Sequence, residues 1–124
     1  MNNPPRILLV DDESLNIDYL EQELEDKGFE LLSASNGQEA LDVLRESLPD
    51  LVLLDIMMPE INGIAICKLI KSNQKTSHIK VMMISALSDD GTKRDSMNAG
   101  ADQFVTKPIL PRVLTQQVND LMAK

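Results

Sequence analysis

Aromatic residues are almost missing from this chain: Tyr19, Phe29 and Phe104 are all it has, with no tryptophan. Three scattered rings cannot build a platform on which nucleobases stack. Basic residues are also in short supply, 12 against 20 acids, for a formal net charge of −8. Phosphate-backbone binding draws its affinity from clustered Lys and Arg. Direct nucleic-acid binding is therefore excluded, and proteins or cations are the expected partners. A lone cysteine, Cys67, rules out an internal disulfide and suits a reducing, cytoplasmic setting; its apolar, helical neighbours mark it for packing. With His78 as the one histidine, no Cys/His metal-binding spacing exists. Apolar runs stop at about four residues, as in Ile7–Val10, so nothing is expected to span a membrane. The opening residues, MNNPPR, lack the charged start, apolar centre and cleavage site of a signal peptide. Neither a GxxxxGK[ST] nor a GxGxxG loop occurs, so nucleotide binding lacks its usual signature.

What is present is a regular alternation, organised around LVLLDIMMPEING at residues 51–63. A continuous apolar run at Leu51–Leu54 reads as a strand buried on both faces, in the middle of a parallel sheet. Asp55 ends that strand, and ligands of open α/β sheets bind beyond the carboxyl ends of their strands. Spacing alone would equally allow Asp55 to cap the helix that follows.

The remaining chain has the same rhythm. Ile7–Val10 is a strand ending in Asp11-Asp12-Glu13; Ser14 is the expected N-cap of a helix carrying Ile17, Leu20 and Leu24 and stopped by Gly28. Glu30–Ala34 is a weaker strand. After Asn36-Gly37 comes a helix with Ala40, Leu41, Leu44 and Leu48 on one face, closed by Pro49. Ile66, Leu69 and Ile70 support a third helix, with Lys68, Lys71 and Lys75 on its wet side. Val81–Ile84 is a strand ending at Ser85. Ser88-Asp89-Asp90 would cap a fourth helix whose residues TKRDSMN offer almost no apolar face before Gly100. Ala101–Val105 is the fifth strand, followed by Lys107-Pro108 and a helix with Leu110, Val113 or Leu114, Val118 and Leu121 along one side.

Five strands alternating with five helices imply right-handed βαβ units. At 124 residues the expectation is one domain over 1–124, a flavodoxin-like doubly wound five-stranded parallel sheet of order 2-1-3-4-5. That order brings Asp11, Asp12, Asp55, Ser85 and Lys107 to one sheet edge. Three carboxylates that close repel by on the order of a kcal/mol or more per pair at intermediate dielectric, so they call for a cation. An all-oxygen site with an open face suits Mg²⁺, and a hydroxyl and a lysine opposite complete a cradle for a phosphoryl group.

These residues, in this order and each at a strand end, resemble the receiver domain of two-component response regulators over essentially the whole chain. The resemblance implies that Asp55 is phosphorylated by a histidine kinase or a histidine phosphotransfer protein. It implies that Asp12 and Asp55 bind Mg²⁺ directly, with the backbone carbonyl of Met57 as a third ligand and Asp11 acting mainly through a bound water. Ser85 would bond one phosphoryl oxygen and Lys107 another. Lys107-Pro108 matches the family's cis peptide; X–Pro bonds alone tolerate that isomer at an appreciable rate.

The family's switch couples Ser85 to an aromatic on the fifth strand, here Phe104 where tyrosine is common. The sequence leaves open whether Phe104 turns inward or simply packs. The fourth helix, fifth strand and fifth helix would then form the output face. Met57 and Leu87 lie two residues beyond Asp55 and Ser85, where the family tunes access of water to the acyl phosphate. Expected partners are the kinase or phosphotransfer protein and a downstream protein target or fused output domain; a stand-alone receiver is the modest preference. Two other classes compete. A Mg²⁺-dependent phosphohydrolase of the haloacid-dehalogenase type wants a second aspartate where this chain has Met57. A flavin carrier wants aromatics that are not here.

Overall fold

A computed structural model describes residues 4–87 and 89–123. Its order is β1 (Arg6–Val10), α1 (Ser14–Leu24), β2 (Glu30–Ala34), α2 (Gly37–Ser47), β3 (Leu51–Asp55), α3 (Gly63–Ser72), β4 (Lys80–Ser85), α4 (Asp90–Asn98), β5 (Gln103–Thr106) and α5 (Pro111–Met122). All five strands are parallel, in the order β2-β1-β3-β4-β5. The expected doubly wound topology is what forms.

The three apolar runs occupy the middle of the sheet because each is covered on both faces. Side chains alternate across a strand, and the alternation sorts them into two cores. Leu8, Val10, Val52, Leu54, Val81 and Met83 pack with α2 and α3, through Ala40, Leu44, Ile66 and Ile70. Ile7, Leu9, Leu51, Leu53, Met82 and Ile84 pack on the other face with α1 and α5, through Leu20, Leu24, Leu114 and Val118. The sheet is wound outward in opposite directions from β1, to β2 on one side and to β3 on the other, so the carboxyl ends of the parallel neighbours β1 and β3 face one opening, where Asp11 and Asp55 emerge.

Several local expectations are corrected. Ser14 does not cap α1: Glu13 holds the cap position without a side-chain cap bond, and its N–H is taken by Asp11 Oδ1 at 2.9 Å. The helix ends at Leu24, ahead of Gly28, because Glu25 is already extended and Asp26 has φ of 62°. Leu48 leaves the buried face of α2, adopting a left-handed φ of 44° as the C-cap and standing 48% exposed. On α3 the buried stripe runs through Ile66, Cys67 and Ile70, and Leu69 is turned out. Lys71 is not on the wet side: its ammonium donates to Ile79 O at 2.7 Å and pairs with Asp102 at 2.9 Å. Strand β5 starts at Gln103 rather than Ala101, since the N–H of Ala101 still bonds back to Ser96 O at the end of α4. In α5, Leu114 is buried, while Leu110 and Val113 are exposed.

Helix α4 has the poor apolar face its sequence suggests. Ser96 is its buried residue, and Asp89 caps it by accepting from Thr92 N. Ser88, part of the expected cap, lies outside the described residues.

Candidate functional site

The β3–α3 connection sets Asp55 in place. Ile56 N donates to Ile84 O at 3.1 Å, and Gly63 N donates to Ile56 O at 3.0 Å, so the peptide after Asp55 is tied to both β4 and the first turn of α3. Asn62 caps that helix through Ala65 N. Gly63 is there because nothing larger fits: a Cβ would sit 2.3 Å from Asp55 O.

Around Asp55 the edge gathers the residues expected of it. Asp11, Asp12 and Asp55 offer carboxylate oxygens that all lie within 4.8 Å of one another. Asp11 and Asp55 are only 2% and 3% exposed, and Asp12 faces solvent. Lys107, at the end of β5, reaches between them, its Nζ 3.1 Å from Asp11 Oδ2 and 3.1 Å from Asp55 Oδ1. The Lys107-Pro108 bond is cis, and Lys107 N donates to Ser85 O at 2.8 Å. Ser85 is fully buried; its Oγ accepts from Leu87 N at 2.9 Å, which leaves the hydroxyl proton to donate. Met57 and Leu87 are exposed at the rim. Phe104 pairs in register with Met83 and lies half-buried against the α2/α3 core.

One ammonium against three carboxylates leaves the cluster short of positive charge. Burial, and then the charge of Asp11, push the Asp55 carboxyl up to about 6, against the opposing pull of Lys107. Burial alone would lower the Lys107 pKa, yet its bonds and charge contacts with Asp11 and Asp55 hold it above the usual value. The donor set fits a hard divalent cation. Such an ion keeps oxygens about 2.1 Å away and hence ligand pairs roughly 3–4 Å apart, a spacing small side-chain rotations reach from here. The exposed Asp12 side leaves room for water or a phosphoryl oxygen.

Two contacts carried no signal in the sequence. The Lys71–Asp102 pair ties α3 to the start of β5, and Asp102 also accepts from Val81 N at 2.9 Å. Tyr19 on α1 donates to Ile109 O at 2.5 Å. Residues 31 and 90 positions apart do not announce a partnership by spacing.

A doubly wound sheet with three aspartates, a serine and a lysine converging on one edge defines a receiver-type signalling domain. The family model described as the response regulator receiver domain matches residues 7–119, and the chain belongs to that family. It is 39% identical over 116 residues to response regulator PleD of Caulobacter vibrioides, covering 94% of this chain but 26% of that protein. To the polar-differentiation response regulator DivK of Brucella anthropi it is 34% identical over 112 residues, covering 90% of this chain and 91% of DivK. The crystal structure of a putative response regulator from Chloroflexus aurantiacus superposes with a TM-score of 0.92 at 31% identity, covering 98% of this chain and 99% of that one. The chain thus spans about a quarter of PleD and nearly all of DivK. The phosphohydrolase and flavin-carrier readings are not favoured. Among the described residues no helix is long and apolar enough to cross a membrane.

Proposed function

We propose that residues 1–124 act as one phosphoacceptor unit in which Asp55 takes a phosphoryl group from a phosphohistidine of a histidine kinase or histidine phosphotransfer protein. The observation that carries this reading is the shared Lys107 ammonium, 3.1 Å from both Asp11 and Asp55, in a cluster still rich in negative charge. The Asp55 carboxylate attacks phosphorus, the P–N bond breaks, and the histidine leaves with its electron pair. Asp12, Asp55 and the Met57 carbonyl would hold Mg²⁺, with Asp11 acting through water. Bound there, the ion would supply charge neutralisation for the phosphoryl oxygens. Lys107 neutralises one phosphoryl oxygen and Ser85 donates its hydroxyl proton to another. Positioning and charge neutralisation make up most of what phosphoryl transfer requires. The domain catalyses only its own phosphorylation and dephosphorylation.

The output would be a changed protein-binding face built from α4, β5 and α5. In support, α4 buries little beyond Ser96 and is therefore cheap to move, and Phe104 stands half-buried on β5, the strand that joins α4 to α5 in the chain. If Phe104→Ala left partner affinity fully dependent on phosphorylation, this assignment of the face would fail.

The test is intact mass after incubation with acetyl phosphate, with Mg²⁺ and with EDTA. The expected result is a single phosphate adduct that requires Mg²⁺ and is lost in Asp55→Asn. An adduct that forms equally in Asp55→Asn would overturn the reading.

A further inference from the structure

Lys107 is held by a four-residue segment, 107–110, between β5 and α5, and that segment borders empty space. A cavity of about 770 Å³ lies beside it, lined by Tyr19 and Leu20 of α1, by Pro108 and Ile109, and also by Asp11 and Lys107. Interiors normally fix a loop by close packing. Ile109 packs into the α1/α5 core, and directional bonds add to that packing along the cavity's edge. Among the described residues, main-chain bonds tie the segment to β4 through Lys107 N and Ser85 O at 2.8 Å, and into α5 through Leu110 O and Leu114 N at 2.9 Å. Towards α1 the phenol of Tyr19 adds a hydrogen bond to that packing, donating to Ile109 O at 2.5 Å.

The placement of that bond matters. Ile109 is two residues from Lys107, and α1 begins three residues after Asp11, whose Oδ1 is itself fixed by Glu13 N. Tyr19 therefore connects the element that follows one carboxylate to the segment that carries the lysine shared between both carboxylates. Burial, with the nearby Glu23 charge, raises the phenol's pKa and keeps it a donor.

We propose that Tyr19 is a positioning residue for the phosphorylation site: its hydroxyl holds residues 107–110 so that Lys107 Nζ stays centred between Asp11 and Asp55. This rests on the phosphoacceptor reading of Asp55. The alternative is that Tyr19 only fills space along α1, which a phenylalanine would do equally well.

The experiment times phosphate-adduct formation with acetyl phosphate and Mg²⁺ for wild type, Tyr19→Phe, Lys107→Met and the double variant. If Tyr19 acts through Lys107, Tyr19→Phe slows the reaction about fivefold, the factor one net hydrogen bond is worth. In the Lys107→Met background the same change then matters by under about twofold, because contacts that act through one another are not additive. Equal slowing in both backgrounds, or none in the wild-type background, overturns the proposal. Should Lys107→Met form too little adduct to time, the crystal structure of Tyr19→Phe decides. A lysine displaced from the two carboxylates supports the proposal, and an unmoved Nζ refutes it. Wild type that forms no adduct at all would instead count against the phosphoacceptor reading, and the same crystal structure would still decide the role of Tyr19.

Discussion

Replacing Gly63 with alanine isolates the contact on which the geometry of Asp55 depends. The added Cβ would lie 2.3 Å from Asp55 O, 2.9 Å from Asp55 C and 3.0 Å from Ile56 Cα. Non-bonded carbon atoms attract at roughly 3.5–4 Å, so this is an overlap of about an ångström, and against main chain that cannot rotate aside. Helix α3 must retreat from the end of β3, and the 3.0 Å bond from Gly63 N to Ile56 O must stretch. Overpacking of this kind costs about 1–3 kcal/mol. Helix propensity pulls the other way, since alanine is better than glycine inside a helix by up to about 1 kcal/mol. The sign of the change therefore separates the two effects. Gly63→Ala is expected to lower stability by about 1–2 kcal/mol net, read as a lower urea midpoint at unchanged m-value. Adduct formation at Asp55 should slow as well, because the carboxylate moves with its peptide. A Gly63→Ala protein as stable as wild type, or more so, would refute the reasoning.

Further outcomes follow from the charge cluster. The Asp55 carboxyl sits at about 6, above the ordinary carboxylate value of about 4, so folding disfavours its charged form. Its penalty is absent below about pH 4, grows through pH 4–6 and is complete above about pH 6. Asp55→Asn should thus stabilise the metal-free protein by about 2–3 kcal/mol at pH 7.5 and hardly at all at pH 4; equal gains at both pH values in thermal melts would contradict this. Lys107→Met leaves Asp11 and Asp55 buried without their shared cation and should cost about 2–4 kcal/mol at neutral pH, measured by urea unfolding in EDTA. Mg²⁺ should raise the thermal midpoint of wild type, by about 2.7 kcal/mol of stability at a hundredfold excess over its dissociation constant. Asp12→Asn should blunt that rise; an unchanged response would remove Asp12 from the ligand set.

Much of this was readable from residue order, for identifiable reasons. The runs Ile7–Val10, Leu51–Leu54 and Val81–Ile84 are apolar on both faces, which only a central strand between two helical layers requires, and all three are fully covered. Strand order then carries Asp11, Asp55, Ser85 and Lys107 to one edge without further information. Expectations failed where a tertiary partner outweighed a local preference. Ser14 looked like a cap, but Glu13 takes the cap position, its own N–H held by Asp11 Oδ1. Lys71 looked solvated, but Ile79 O and Asp102 captured it. Leu69 fitted the helical period, yet the stripe lies one step round, where Cys67 packs against Ala99. Tyr19 gave no sign of its partner at all, because a hydrogen bond to a main-chain carbonyl leaves no residue-type signature.

The central claim is that Asp55 itself becomes the acyl phosphate, and borohydride trapping tests it most directly. Reduction of an aspartyl phosphate yields homoserine at the modified position, and trypsin releases residues 46–68 as one peptide containing both Asp50 and Asp55. Fragmentation of that peptide after treatment with acetyl phosphate and Mg²⁺ should place homoserine at position 55 and leave Asp50 unaltered. Homoserine at Asp11, Asp12 or Asp50 instead, with Asp55 intact, would contradict the account.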